Sequence, residues 1–245
     1  MRRWLRSYGL LLTWSLLRLR TYLPLIVSIQ ALLSVGIVVG FSLLIPRVDP
    51  VTAVYLSTGA PTVALISVGM VLAPQMVAQQ KARGVFDYHR ALPVPRLAML
   101  AADASVWLGL AVPGLVISLV VAAFRFDLDL AVSPLVVPAV LLVAVVAVAI
   151  GYGIGYLARP EVASVVTNLI VVVALMFSPI NYPADRLPGW LAAVHQVLPF
   201  QYMAQAIRET LDVPAGGIPV LPFAVLVTWG AAGLAITYRI MSRRA

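Results

Sequence analysis

Apolar runs of about twenty residues recur along the whole chain, and they limit its possible folds more than any other feature. Each run is long enough to cross the roughly 30 Å hydrocarbon core of a bilayer as an α-helix. Hydrophobic residues make up 62% of the chain and charged residues 11%, whereas soluble domains are about 45–50% apolar and about 25% charged. The sequence therefore predicts an all-α membrane protein, a single transmembrane domain over residues 1–245 without a separate soluble domain.

We predict six transmembrane spans, and the positions of the basic residues orient them. If the N-terminus is cytoplasmic, all but four of the 17 Lys and Arg residues fall in cytoplasmic segments. The positive-inside rule favours this arrangement, with both termini in the cytoplasm. The exceptions are Arg47, Arg125, Arg186 and Arg208. The predicted spans cover residues 22–45, 52–75, 97–124, 134–158, 163–180 and 218–240.

The first twenty residues predict an amphipathic helix, residues 2–20, lying on the cytoplasmic membrane surface. One stripe at three- and four-residue steps is apolar and a second is mainly basic. An ordinary basic flank of the first span is the alternative. The apolar stripe contains Trp4, Tyr8, Leu11, Leu12, Leu16 and Leu19, and the other contains Arg3, Arg6, Thr13 and Arg20.

No catalytic, nucleotide or metal site can be assembled from the residue types present. The only lysine, Lys81, follows Gln80, whereas a Walker A loop needs glycine before its lysine. His89 and His195 lie on opposite sides of the membrane in the predicted topology, which disfavours a shared metal ion. We therefore expect no enzyme activity and no cofactor in this chain.

The predicted spans contain few ionisable groups. Asp103, near the cytoplasmic end of the third span, is the clearest candidate, and coupled carriers usually place such charges deeper in the membrane. Milder polar residues have two equally open interpretations, as the lining of a translocation path or as helix–helix hydrogen bonds. A transporter of this kind would draw its energy from elsewhere. The path candidates are Thr58, Thr62, Thr167, Asn168 and Ser178.

The loop over residues 181–217 is too apolar for water and too rich in proline for a straight span. We predict two short helices, one starting near Pro188 and Trp190 and ended by Pro199, the other covering "FQYMAQAIRETL". Helices dipping into the outer leaflet suit such a loop. The alternative is an interfacial loop anchored by Trp190 and Tyr202.

This loop resembles the ABC-2 type permeases, the membrane subunits of one class of ATP-driven exporters. The matching residues are Pro183, Leu187-Pro188-x-Trp190-Leu191, Leu198-Pro199-Phe200-x-Tyr202 and Ile207-Arg208. The resemblance implies a multi-pass protein of the cytoplasmic membrane, paired as a homodimer and bound to two copies of a separate ATPase that holds ATP and Mg. It also implies an extracellular gate formed by Pro183, Pro188, Trp190, Pro199 and Tyr202.

The charged segment "QQKARGVFDYHRALPVPR" resembles the family's cytoplasmic coupling loop, residues 76–96 here. In the family a short helix in this loop fits a cleft on the ATPase, and Gln79 to Asp87 would form it. Glutamates frequent in the family are replaced by Gln79, Gln80 and Lys81, which removes the basis for a carried-over salt bridge. The implied coupling residues are Gln80, Lys81, Arg83, Gly84, Phe86, Asp87 and Arg90.

The resemblance implies export powered by the partner ATPase. Small, apolar or weakly polar path residues favour an amphiphilic drug, natural product or lipid as the substrate. Few aromatic residues lie along the path, which disfavours stacking against the sugars of a polysaccharide or glycolipid, the alternative cargo. A non-transporting sensor or scaffold subunit is the alternative from another class, since it too would need a docking loop.

Overall fold

The computed structural model of the protein describes residues 2–45, 48–84, 95–127, 132–211 and 220–242. Within these ranges the chain is almost entirely helical and contains no β-strand. Six helices there are long and apolar enough to cross a membrane, which confirms the predicted number. In chain order, the spans are Leu23–Leu44, Pro50–Ala82, Ala101–Phe126, Val136–Leu157, Pro160–Phe177 and Val220–Ile240.

The second span forms the centre of the molecule. In its apolar window 83% of the residues are buried, against 17% in the fifth span and 22% in the sixth. It begins at Pro50, where proline fits because the first N–H groups of a helix have no partner inside the helix. The first, third, fourth and fifth spans pack against it, whereas the sixth span packs mainly against the fourth.

A π-helical turn, Val68–Leu72, interrupts the α-helical pattern of the second span. Pro74 follows at the start of the next α-helical stretch, Ala73–Ala82. Proline has no N–H to donate, and its ring clashes with the carbonyl of the preceding α-helical turn. The wider π-helical turn before Pro74 relieves this clash. The second span thereby continues through the proline as one helix of 33 residues.

The N-terminal helix is confirmed as a helix, Arg2–Leu19, and packs on the start of the third span's helix, Arg96–Phe126. The Tyr8 hydroxyl donates a hydrogen bond of 2.9 Å to Ser105 Oγ. Three polar-stripe members, Arg6, Thr13 and Arg20, are exposed as expected, but Leu16 of the apolar stripe is exposed as well. The buried face instead runs through Ser15 and Leu19, one turn apart.

The end of the second span differs from the sequence prediction. We expected the span to end near residue 75 and a separate coupling helix to cover Gln79–Asp87. The structure instead continues the span to Ala82, and Gly84 follows with a φ of +74°. Gln79, Gln80 and Lys81 are polar, so they mark the end of the segment that suits hydrocarbon. All three residue types also favour the α-helix, so the helix itself continues past them. The remainder of the expected coupling helix lies outside the described residues.

The loop between the fifth and sixth spans contains the two helices that its sequence predicts. The first loop helix is Gly189–His195, directly after Pro188, and the second loop helix is Pro199–Leu211. A single 3-10 turn, Ala184–Arg186, precedes them. Proline therefore marks the start of each helix, as expected from its fixed φ. The second loop helix packs against the second, fourth and sixth spans.

Candidate functional site

Arg208 on the second loop helix contacts the second span at several points. Its Nε donates a hydrogen bond of 3.1 Å to Thr58 Oγ1, and its guanidinium carbon lies 3.7 Å from the centre of the Tyr55 ring. Its Nη2 donates a bond of 2.7 Å to the carbonyl oxygen of Ile180, just beyond the fifth span. Desolvation lowers the pKa of Arg208 to about 10, so the side chain stays charged near neutral pH.

Thr58 and Thr62, the path candidates on the second span, are fully buried. The Thr58 hydroxyl donates to the carbonyl of Val54 and accepts from Arg208, while the Thr62 hydroxyl donates to the carbonyl of Thr58. Bonds of this kind fit the alternative of contacts within and between helices. Neither threonine lines an open path in this conformation.

The remaining path candidates divide between buried and exposed positions. Thr167 is buried and accepts a hydrogen bond of 3.1 Å from Gln75 Nε2 of the second span. Ser178 is also buried, with its hydroxyl 3.4 Å from His195 Nδ1 on the first loop helix. Asn168 is exposed on the fifth span. The structure therefore does not bring the five candidates together on one surface.

The expected gate residues frame the two loop helices. Pro188 precedes the first and Pro199 begins the second. The buried Tyr202 fixes the turn between them, because its hydroxyl donates a bond of 2.7 Å to the Gln196 carbonyl. Trp190, in contrast, is 70% exposed, and Pro183 is half-buried before the 3-10 turn. The exposed indole suits either a gate or the interfacial anchor left open by the sequence.

The coupling residues are described only in part. Gln80 is half-buried and Arg83 is exposed, while Lys81 Nζ donates a hydrogen bond of 2.7 Å to the Tyr156 carbonyl at the end of the fourth span. No described atom lies within 4 Å of the position that a Cβ on Gly84 would take. A side chain would therefore fit in the space, and the positive φ is the feature of this position that favours glycine. The predicted residues Phe86, Asp87 and Arg90 lie outside the described residues.

Several polar residues that matter to the fold were not among the predicted site residues. Gln30, inside the first span, donates a hydrogen bond of 2.7 Å to the Leu110 carbonyl of the third span. Nearby, the Ser34 hydroxyl donates to the carbonyl of Gly114 over 3.3 Å. Glutamine within the apolar run "VSIQALLS" was the available signal, since a polar side chain at membrane depth needs a partner.

The fifth span also borders an apolar groove with the first span. The groove has a volume of about 570 Å³ and is lined by Ile29, Leu33 and Phe41 on the first span and Val172 and Met176 on the fifth, among others. Asn168 is exposed on the same fifth span, and its amide lies 3.5 Å from the Ser164 hydroxyl. The fifth span therefore carries both part of the apolar groove and an exposed amide.

The described part of the chain offers no cluster of three or more His, Asp or Glu residues able to hold a metal ion. A comparison with protein families matches the model described as ABC-2 type transporter over residues 10–211. The match runs from the N-terminal helix to the end of the second loop helix. No curated protein matches the chain with significant similarity.

Proposed function

The chain belongs to the ABC-2 type transporter family, and from this membership we propose that it is the permease of an exporter powered by a separate ATPase subunit. The match over residues 10–211 is the observation that carries the proposal. A permease of this family is a membrane component and not a catalytic one. The ATP and Mg would be held by the partner, bound in two copies at the cytoplasmic face of the inner membrane.

Force would enter through the coupling loop, residues 76–96. The helix of the second span reaches Ala82, so movement of the loop would act directly on the most buried span. ATP binding can shift the permease between two conformations only by binding more tightly to one of them. In this proposal the docked ATPase would contact the coupling residues Gln80, Lys81, Arg83, Gly84, Phe86, Asp87 and Arg90.

A second copy of the chain would complete the path. Asn168 is exposed on a membrane-spanning helix and donates a long hydrogen bond of 3.5 Å to the Ser164 hydroxyl, so the rest of its amide would face lipid, which is unfavourable. Pairing of two permeases through their fifth spans would cover this amide and place it beside the path. Such a path would not need the buried Thr58, Thr62, Thr167 and Ser178 to open, although they remain candidates in a second conformation.

The proposed substrate is an amphiphilic drug, natural product or lipid. The apolar groove between the first and fifth spans supports this choice, since Phe41 is the only aromatic residue in its lining and acyl or ring surfaces would fit there. A polysaccharide would require stacking surfaces and hydrogen-bonding groups along the path. At the other end of the path, the gate would be formed by the loop helices with Pro183, Pro188, Trp190, Pro199 and Tyr202.

Substitution at Gly84 tests the coupling. A valine there cannot easily adopt the φ of +74°, whereas asparagine tolerates this conformation. We expect Gly84→Val to be inserted and to leave ATP hydrolysis by the complex in place, while efflux of amphiphilic fluorescent compounds falls. Gly84→Asn should retain most of the efflux. Full efflux by the valine variant would contradict the coupling role.

A further inference from the structure

The guanidinium of Arg208 joins three separate parts of the chain. It extends from the second loop helix to Thr58 and Tyr55 on the second span and to the Ile180 carbonyl after the fifth span. Both hydrogen bonds go to uncharged oxygen atoms. A planar cation with donors in fixed directions can hold several neighbours in one geometry, which a flexible ammonium group cannot reproduce.

The segment that Arg208 holds lies directly against the second span. A methyl group on Gly59 would lie 2.8 Å from the Ile180 carbonyl oxygen and 2.2 Å from Asn181 Oδ1. Only a glycine allows this approach of the two backbones. Arg208 thus fastens the segment after the fifth span to the second span beside this close approach at Gly59.

Asn181 makes this contact unusual. Both polar atoms of its side chain are buried, and neither has a hydrogen-bond partner among the described residues. A buried amide without partners is destabilising, because its polar atoms have lost their hydrogen bonds to water without gaining others. Such a group favours a second arrangement in which the Ile180–Asn181 segment moves and the amide finds partners. Movement of this segment would therefore break no hydrogen bond made by the Asn181 side chain with the described residues.

The same helix connects Thr58 to the coupling loop. Thr58 and Lys81 both belong to the second span, and the 1.5 Å rise per residue separates them by about 35 Å. The contacts of Arg208 therefore lie near one end of a continuous helix whose other end carries coupling residues. A displacement at one end reaches the other through a helix, without an intervening loop.

We propose that Arg208 is a positioning residue that ties the second loop helix and the Ile180–Asn181 segment to the second span, so that movement of this span displaces the loop helices. This inference rests on the proposed permease function. It assigns to Arg208 a role in transmission between the two faces of the membrane, and it requires neither contact with substrate nor contact with ATP.

The test uses a reporter cysteine in the complete complex with its ATPase, in lipid. The chain has no cysteine of its own, and Ala193 is exposed on the first loop helix, so Ala193→Cys gives a single reactive thiol. Its rate of labelling by a water-soluble maleimide is measured without nucleotide and after addition of ATP and vanadate, which hold the ATPase with bound ADP and vanadate. We expect the two rates to differ in the parent.

Arg208→Gln should abolish the difference between the two rates while the nucleotide-free rate and ATP hydrolysis are retained. Arg208→Lys should restore part of the difference, and Thr58→Val, which removes one acceptor, should reduce it. Arg186→Gln is the matched control, since Arg186 lies exposed in the same loop and should leave the difference intact. A purely structural role of Arg208 would change the nucleotide-free rate as well.

An unchanged ATP-dependent difference in Arg208→Gln would overturn the inference. If Arg208→Gln does not insert into the membrane, Thr58→Val and Tyr55→Leu test the inference instead. Full retention of the difference between the two labelling rates in both variants would equally overturn the inference. Failure of the proposed function looks different, because the parent itself would then bind no ATPase. That result would remove both proposals.

Discussion

Gly151 of the fourth span lies directly against the backbone of Gly69 in the second span. A methyl group at Gly151 would lie 2.1 Å from the Gly69 carbonyl oxygen, and one at Gly69 would lie 2.5 Å from Ala147 Cβ. One turn later, a methyl group at Gly155 would lie 2.7 Å from the Pro74 carbonyl oxygen, so the close contact continues there. The spacing of Gly151 and Gly155 thus has a defined partner, the π-helical turn and the proline of the second span.

Gly151→Ala should therefore destabilise the folded protein by about 1–3 kcal/mol, as overpacking does in other tightly packed cores. Gly153→Ala is the control, because a Cβ there meets nothing within 4 Å and alanine favours the helix. The melting temperature in mild detergent, followed by circular dichroism, measures both. Equal melting temperatures of the two variants would contradict the close contact.

Lys81 should have a structural role in addition to its proposed coupling role. Its ammonium donates to the carbonyl of Tyr156, one of the last carbonyls of the fourth span, which lack partners inside the helix. We expect Lys81→Met to lower stability by about 0.3–1 kcal/mol, the usual value of a cation at a helix C-terminus. Gln79→Met, at an exposed position on the same helix, should have no such effect.

These outcomes also separate the two roles of Lys81. Loss of ATPase binding by Lys81→Met at an unchanged melting temperature would show that its ammonium acts on the partner and not on the fourth span. A lower melting temperature with normal ATPase binding would assign it to the fold.

The N-terminal helix should depend on Ser15 for its attachment to the third span. The Ser15 hydroxyl donates a hydrogen bond of 3.0 Å to Asp103 Oδ1, and leaving one buried partner of such a bond unsatisfied costs about 1–3 kcal/mol. We expect Ser15→Ala to raise amide hydrogen exchange along Arg2–Leu19. Thr13→Ala should not, because Thr13 is exposed and its hydroxyl bonds to Gly9 within the same helix. Equal exchange in both variants would show that Asp103 does not hold the helix.

His195 should make stability fall at mildly acidic pH. Desolvation lowers the pKa of His195 from its ordinary value near 6.5, more than the backbone at Phe177 raises it. The unfolded chain then binds more protons than the folded one as the pH falls through 6.5, so stability decreases in this direction. We expect the melting temperature to drop less in His195→Gln than in the parent between about pH 7.5 and about pH 5.5. An equal drop would contradict this assignment.

The spans and the loop helices could be predicted because their signals are local. Hydropathy over a window locates each span, and Pro188 and Pro199 mark the starts of the loop helices. The continuation of the second span to Ala82 could not be read in the same way. Hydropathy reports where a chain leaves the hydrocarbon, whereas the helix ends at Ala82, two residues before the backbone turns to positive φ at Gly84.

The site was less predictable because its contacts join distant parts of the sequence. Periodicity places Thr58 on a face of the second span, but its partner Arg208 lies 150 residues away. The sequence shows that Arg208 lies in an extracellular segment of the predicted topology and that it matches the family motif. Neither property reveals its contact with Thr58. Gln75 and Thr167, 92 residues apart, show the same limit.

The permease proposal is tested by isolating the tagged protein from native membranes in mild detergent and identifying the bound proteins by mass spectrometry. We expect a stoichiometric ATPase subunit to copurify with the parent chain and to be lost when residues 80–90 are altered. Absence of any ATPase, under conditions that preserve a known transporter complex, would contradict the permease proposal and favour a sensor or carrier without a nucleotide-driven partner.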